Sequence, residues 1–129
     1  MKAHSFVAYL AFAILVSVSI DHARAQTQGE MNSAATRDFE KADAELNVVF
    51  KKVLALLDDE GKKKLIAAQR AWLAFRDAQA TFDADVMRGG SAARGIYSAS
   101  RGALTEERTA ELKKLKKALE FEKANAARR

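Results

Sequence analysis

Residues 42–82 read ADAELNVVFKKVLALLDDEGKKKLIAAQRAWLAFRDAQATF, and their spacing decides the fold. Ahead of the acidic triplet Asp58, Asp59 and Glu60 runs an apolar stripe at heptad spacing: Phe39, Ala42, Leu46, Val49, Val53 and Leu56. Behind it runs a second seam: Leu65, Ala68, Trp72, Phe75, Gln79, Phe82 and Val86. Both periods are helical, and the chain contains no proline to interrupt them. The acids mark the junction, because carboxylates are favourable at the positive end of the following helix's dipole. Gly61 in the new first turn costs only about 1 kcal/mol relative to alanine.

Working outward, Thr27 with Glu30 forms a capping-box pattern, so the first helix is expected over 28–57. A third is expected from Thr105, with Glu106 and Glu107 in its first turn, through Leu112, Leu115 and Leu119. Between the second and third lies MRGGSAARGIYSASRGA, residues 87–103, which holds four of the six glycines. It reads as a long loop pinned by Ile96 and Tyr97, and connections of that length are generally functional or disordered. No strand alternation occurs. The expected architecture is all-α: a small antiparallel bundle of three helices with a long Gly/Arg-rich loop between helices 2 and 3.

A middle helix packs on two neighbours, which adds Ile66, Gln69, Leu73, Arg76 and Ala80 to its inner face. The first helix has a matching second stripe of Asp43, Asn47, Phe50, Leu54 and Leu57. With the turn near residues 58–60, Val53 faces Ile66, Leu46 faces Leu73, and Asp43 faces Arg76. Burial requires partners for polar groups, so Asp43, Asn47, Gln69 and Arg76, with Gln79 nearby, read as a structural polar core. Trp72 is its apolar anchor, whereas Arg70 falls outside the seam.

The chain begins with Lys2, an uncharged run from Phe6 to Ile20, and small residues Ala23 and Ala25 before Gln26. This is the three-part pattern of a secretory signal peptide. Fifteen apolar residues span roughly 22 Å as a helix, too little for a hydrocarbon core of about 30 Å. The expected division is a signal peptide at 1–25 and one domain at 26–129, periplasmic or secreted. There is no cysteine, and both histidines, His4 and His22, lie in the leader. The remaining domain therefore lacks the residues for a Ser-His-Asp or Cys-His triad or a usual zinc site, so no enzyme, metal or cofactor is expected.

Charge is uneven. The whole chain carries +5, but residues 26–87 hold nine Lys/Arg against eleven Asp/Glu, and residues 88–129 hold eleven against five. Lys113, Lys114, Lys116 and Lys117 form a dense patch extended by Lys123, Arg128 and Arg129. It reads either as a solvated helix face at its favourable C-terminal end or as a polyanion contact. Nucleic acid is the weakest partner, because no aromatic residues interleave with these cations.

The segments ADAELNVVFKKVLALL (42–57), LIAAQRAWLAFRDAQATF (65–82), GGS (89–91) with Tyr97, and LTEERTAEL (104–112) together resemble the lysozyme inhibitor LprI N-terminal domain family. The resemblance covers nearly all of residues 26–129 and implies an exported bacterial helical domain. The family is named for inhibition of lysozyme by one member. Its members usually have cysteines where this chain has Ala34, Ala80 and Ser100. If relatives bridge the last two, this chain lacks a link worth roughly 3 kcal/mol, and its 87–103 loop is less constrained.

Two functions follow as expectations. The first is an exported, non-catalytic lysozyme (muramidase) inhibitor acting through the loop, with Arg88, Gly89, Gly90, Ser91, Arg94, Tyr97 and Arg101 as the partner-binding residues. Muramidase clefts hold paired carboxylates that such cations suit. Animal lysozymes are themselves basic, however, so the two proteins repel at long range. The alternative is an envelope module binding anionic wall polymer, lipid head groups or a protein partner through the basic C-terminal half.

Overall fold

The computed structural model describes the backbone of residues 3–128 and the side chains of residues 25–128. The predicted leader at 1–25 falls almost wholly outside the described side chains. Three helices follow one another: α1 (Ala3–Leu54), α2 (Asp59–Ala84) and α3 (Ala93–Ala126), with a single 3-10 turn at Asp85–Met87. No strand occurs among the described residues, and no helix of the described residues is long and apolar enough to cross a membrane.

The α1–α2 turn is built as the acids suggest. Asp58 is the N-cap of α2, its side chain accepting from the Gly61 N–H at 2.7 Å. Asp59 and Glu60 occupy the first turn of α2, while Lys51 and Lys52 close α1, each charge complementing a helix dipole.

Three expectations are corrected. First, α1 does not start after Thr27 but continues through it from Ala3, since nothing there breaks the helix. Second, the long loop at 87–103 is not present as such: α3 begins at Ala93, twelve residues before Thr105, and only residues 88–92 connect it to the 3-10 turn. The glycines in this stretch serve helix packing. A Cβ on Gly95 would lie 2.3 Å from Asn32 Oδ1, and one on Gly102 would lie 3.7 Å from Phe39 Cα. Only Gly89 has a left-handed backbone, φ +75°. Ala92, Gly95, Ala99 and Gly102 follow one another at steps of three and four, a narrow helix face along which α1 approaches closely.

Third, the principal interface is between α1 and α3, with α2 on α3 next and α1 on α2 a minor contact. Across α1 and α3 residue numbers rise together: Asn32 meets Ser91, Thr36 meets Ser98, and Glu45 meets Lys113. These two helices therefore run parallel, whereas pairs between α2 and α3, Asp83 with Ser100 and Gln69 with Arg108, run in opposite order.

The apolar centre is Leu46, Val49, Val53 and Leu112, all buried, with Phe50, Leu57, Leu65, Trp72 and Leu119 packed around it. The buried stripe of α1 is thus Ala42, Leu46, Val49 and Val53. On α2 the buried residues are Gln69, Arg76 and Ala80, whereas Phe75, Phe82 and Val86 of the expected seam are exposed, and Ile66 is at the surface rather than against Val53. Leu115 is likewise exposed.

Candidate functional site

The polar layer between the helices is organised by Arg76, which is 4% exposed. Its Nη1 donates to Asp43 Oδ1 at 3.0 Å and to Thr105 Oγ1 at 3.4 Å, and its Nε donates to Asp77 Oδ1 at 2.9 Å. Arg101 Nε donates to the same Asp77 oxygen at 3.1 Å, with its guanidinium 3.9 Å from the Phe39 ring centroid and 5.3 Å from that of Tyr97. Arg108 donates to Gln69 Oε1 at 3.1 Å and to Glu111 at 2.9 Å. Trp72 is half-buried between Arg76 and Arg108, with guanidiniums 5.4 and 5.9 Å from its ring. Asn47 is exposed and donates to Asp43 Oδ2 at 3.2 Å. Among the described residues no buried side-chain polar atom lacks a partner. Cations stacked on aromatics and neutralised by acids form a cohesive interior rather than a reactive centre.

The seven residues proposed from the sequence for partner contact separate into two groups and one residue apart from both. Arg101 and Tyr97 belong to the interior just described, because residues 93–103 are helix rather than loop. Arg88, Gly89, Gly90 and Ser91 form the exposed turn. Arg88 is bound through two nitrogens to Asp85, at 2.7 and 2.5 Å, and that carboxylate raises the guanidinium's pKa further. The Gly90 N–H donates to Met87 O at 2.8 Å, and Asn32 Nδ2 donates to Ser91 O at 2.8 Å, tying the turn to α1.

Arg94, the seventh, lies beside the turn in an open polar cleft of about 450 Å³ between α1 and α3. Arg37, Ser33, Thr36 and Glu40 supply the α1 side of this cleft. Among the described residues neither Arg37 nor Arg94 takes part in an ion pair, whereas Arg76, Arg88, Arg101 and Arg108 are each held by an acid. Two guanidiniums from different helices thus line one cleft, with Glu40 beside them but no ion pair to either among the described residues, an arrangement that suits a partner's carboxylates. Sequence reasoning missed Arg37, which looks like any exposed cation of α1 until α3 is brought alongside it. The available signal was the 3-4-3 spacing of small residues from Ala92 to Gly102.

Asn32 also borders an apolar cleft of about 280 Å³ lined by Met31, Ala35, Ile96 and Ala99. Among the described residues no cluster of acids and histidines could hold a metal ion. In the basic C-terminal half, Lys113 is bound to Glu45 and Lys116 to Glu120, each at 2.6 Å, while Lys114 and Lys117 face solvent.

The model of the family described as lysozyme inhibitor LprI matches residues 20–112, which takes in all of α2 and parts of α1 and α3. The chain belongs to the lysozyme inhibitor LprI family. It is also similar to an uncharacterized protein of Rhizobium meliloti (strain 1021), with 34% identity over 78% of this chain and 81% of the relative. No solved structure matches the chain. Ala80 is fully buried, and Ser100 donates to Asp83, which also accepts from Gln79. These two hydrogen bonds hold the Asp83 carboxyl below its usual pKa.

Proposed function

We propose that this chain is an exported, non-catalytic inhibitor of lysozyme-type muramidases. In this reading it presents the 88–92 turn and the adjoining Arg37/Arg94 cleft to the enzyme's carboxylate-lined groove. The observation that carries the reading is the pair of unpaired guanidiniums on separate helices, in a chain of the lysozyme inhibitor LprI family. Muramidases use two carboxyl groups flanking the scissile bond, and arginine engages a carboxylate through two parallel N–H donors. The turn supports insertion: it is short and exposed, and Asn32 anchors it so that little order is lost on binding. Arg101 and Tyr97 act as supports beneath it, not as contacts. The leader pattern at 1–25 supports export to the compartment where such enzymes act.

The test is muramidase turnover on a suspension of bacterial cell walls, with and without a molar excess of this protein. Slowed clearing is expected, and undiminished clearing contradicts the proposal. Both proteins being basic, added salt screens their repulsion and speeds association, whereas binding of an anionic polymer to the Lys114/Lys117 face would weaken with salt.

A further inference from the structure

Among the described residues the outer face of α2 has no partner. Ala68, Ala71, Phe75, Ala78 and Phe82 follow at steps of three, four, three and four, with Val86 four further, and all six are exposed. Phe75 is 52% exposed, Phe82 73% and Val86 79%. Steps of three and four place these side chains in one stripe, the seam pattern by which helices pack on helices. It lies roughly 130–140° round the helix from the buried Gln69/Arg76/Ala80 face, at about 100° per residue. No α2 residue lines the Arg37/Arg94 cleft.

We infer that this face is the interface with a second copy of the chain, packed with the two α2 helices antiparallel. Size pattern and area select that occupant. In a two-fold antiparallel pairing centred between residues 76 and 77, Phe75 meets the partner's Ala78 and Phe82 meets the partner's Ala71. Each large ring therefore falls on a small residue, and the symmetry repeats every match. A parallel pairing would set ring on ring and methyl on methyl, leaving alternate layers crowded and empty.

Taking about 200 Å² for a whole phenylalanine side chain, the exposed parts of Phe75 and Phe82 come to roughly 250 Å². With Val86 and the alanines, and two copies, the face reaches on the order of 1,000 Å², the lower end of specific interfaces. The dimer is therefore weak and reversible, and it leaves both clefts open.

The protein as recovered from the cell envelope should show a concentration-dependent monomer–dimer equilibrium in sedimentation velocity, populated at hundreds of micromolar. Phe75→Ser/Phe82→Ser should be monomeric throughout with an unchanged melting temperature, because both rings are exposed. Ala71→Phe alone should weaken the dimer, and Ala71→Phe/Phe82→Ala, which exchanges large and small across one layer, should restore it. Wild-type protein that is monomeric throughout overturns the inference. So does a dimer that survives Phe75→Ser/Phe82→Ser, or an exchange variant weaker than Ala71→Phe alone. A monomer whose binding to lysozyme or to anionic vesicles is lost in the serine variant assigns the face to that partner instead, and the second copy is refuted.

Discussion

Replacing Arg76 with methionine tests whether the polar layer holds the three helices in register. Methionine keeps most of the aliphatic volume and removes the guanidinium, with its bonds to Asp43 and Asp77 and its contacts with Phe39 and Trp72. A hydrogen bond involving a charged group contributes about 1.5–3 kcal/mol net. Removing one partner of a fully buried pair costs about 3–5 kcal/mol, because the other charge is stranded. Here the stranded acids are partly hydrated, Asp43 at 36% and Asp77 at 46% side-chain exposure, and Asp77 keeps Arg101. The expected loss is therefore about 2–4 kcal/mol, below the sum of the separate bonds. For a domain of this size each kcal/mol lowers the melting temperature by about 4–8 °C. A fall of roughly 10 °C or more is expected in thermal circular dichroism. Arg70→Met, at an exposed site with no ion pair, should stay within about 0.5 kcal/mol of wild type. A double-mutant cycle with Asp43→Ala should give a coupling of about 1 kcal/mol or more. An Arg76→Met protein melting with the wild type would refute the structural role assigned to this cluster.

Two further outcomes test the packing and the electrostatics. Gly95→Ala should destabilise the chain by about 1 kcal/mol or more, since its Cβ would collide with Asn32 at 2.3 Å, whereas Gly29→Ala, with nothing within 4 Å, should stabilise α1 by about 0.5–1 kcal/mol; urea denaturation measures both. Asp83 has a pKa below the ordinary carboxylate value in the folded state, so its contribution to stability is complete above the unfolded value and is lost as pH falls through the folded one. Ser100→Ala should raise the Asp83 pKa toward its usual range, read by carboxyl-carbon NMR titration.

The α1 core was legible in the sequence because Leu46, Val49 and Val53 sit at a helical period in a wholly apolar stripe, while the second stripe beside it carries Asp43 and Asn47. The α2 face was legible in part: Gln69, Arg76 and Ala80 of its second stripe are buried and Arg76 meets Asp43, whereas the more apolar seam, Phe75, Phe82 and Val86, is exposed. Polar side chains gain admission to an interior when facing helices supply partners, here Asp43 on α1 and Thr105 and Arg108 on α3. The start of that last helix is hidden in the sequence, where Gly95 and Gly102 read as helix breakers, whereas in the fold they mark a close approach to Asn32 and Phe39. Tyr97 and Arg101 read as loop residues for the same reason, and Arg37 shows no partner helix beside it. Of Arg88, Arg94 and Arg101, the one that stands at the surface without an acid, Arg94, was visible, but its neighbour across the cleft required the α1–α3 register.

The central claim is that this chain occupies the muramidase groove through Arg37 and Arg94. Titration of hen-type lysozyme with the protein, in the presence and absence of a saturating chitin oligosaccharide that fills the groove, tests it most directly. Binding that the oligosaccharide abolishes, and that Arg37→Ala/Arg94→Ala weakens by about tenfold or more at unchanged melting temperature, is the predicted result. Absence of binding, or binding that the oligosaccharide and the double substitution leave unaltered, would contradict it.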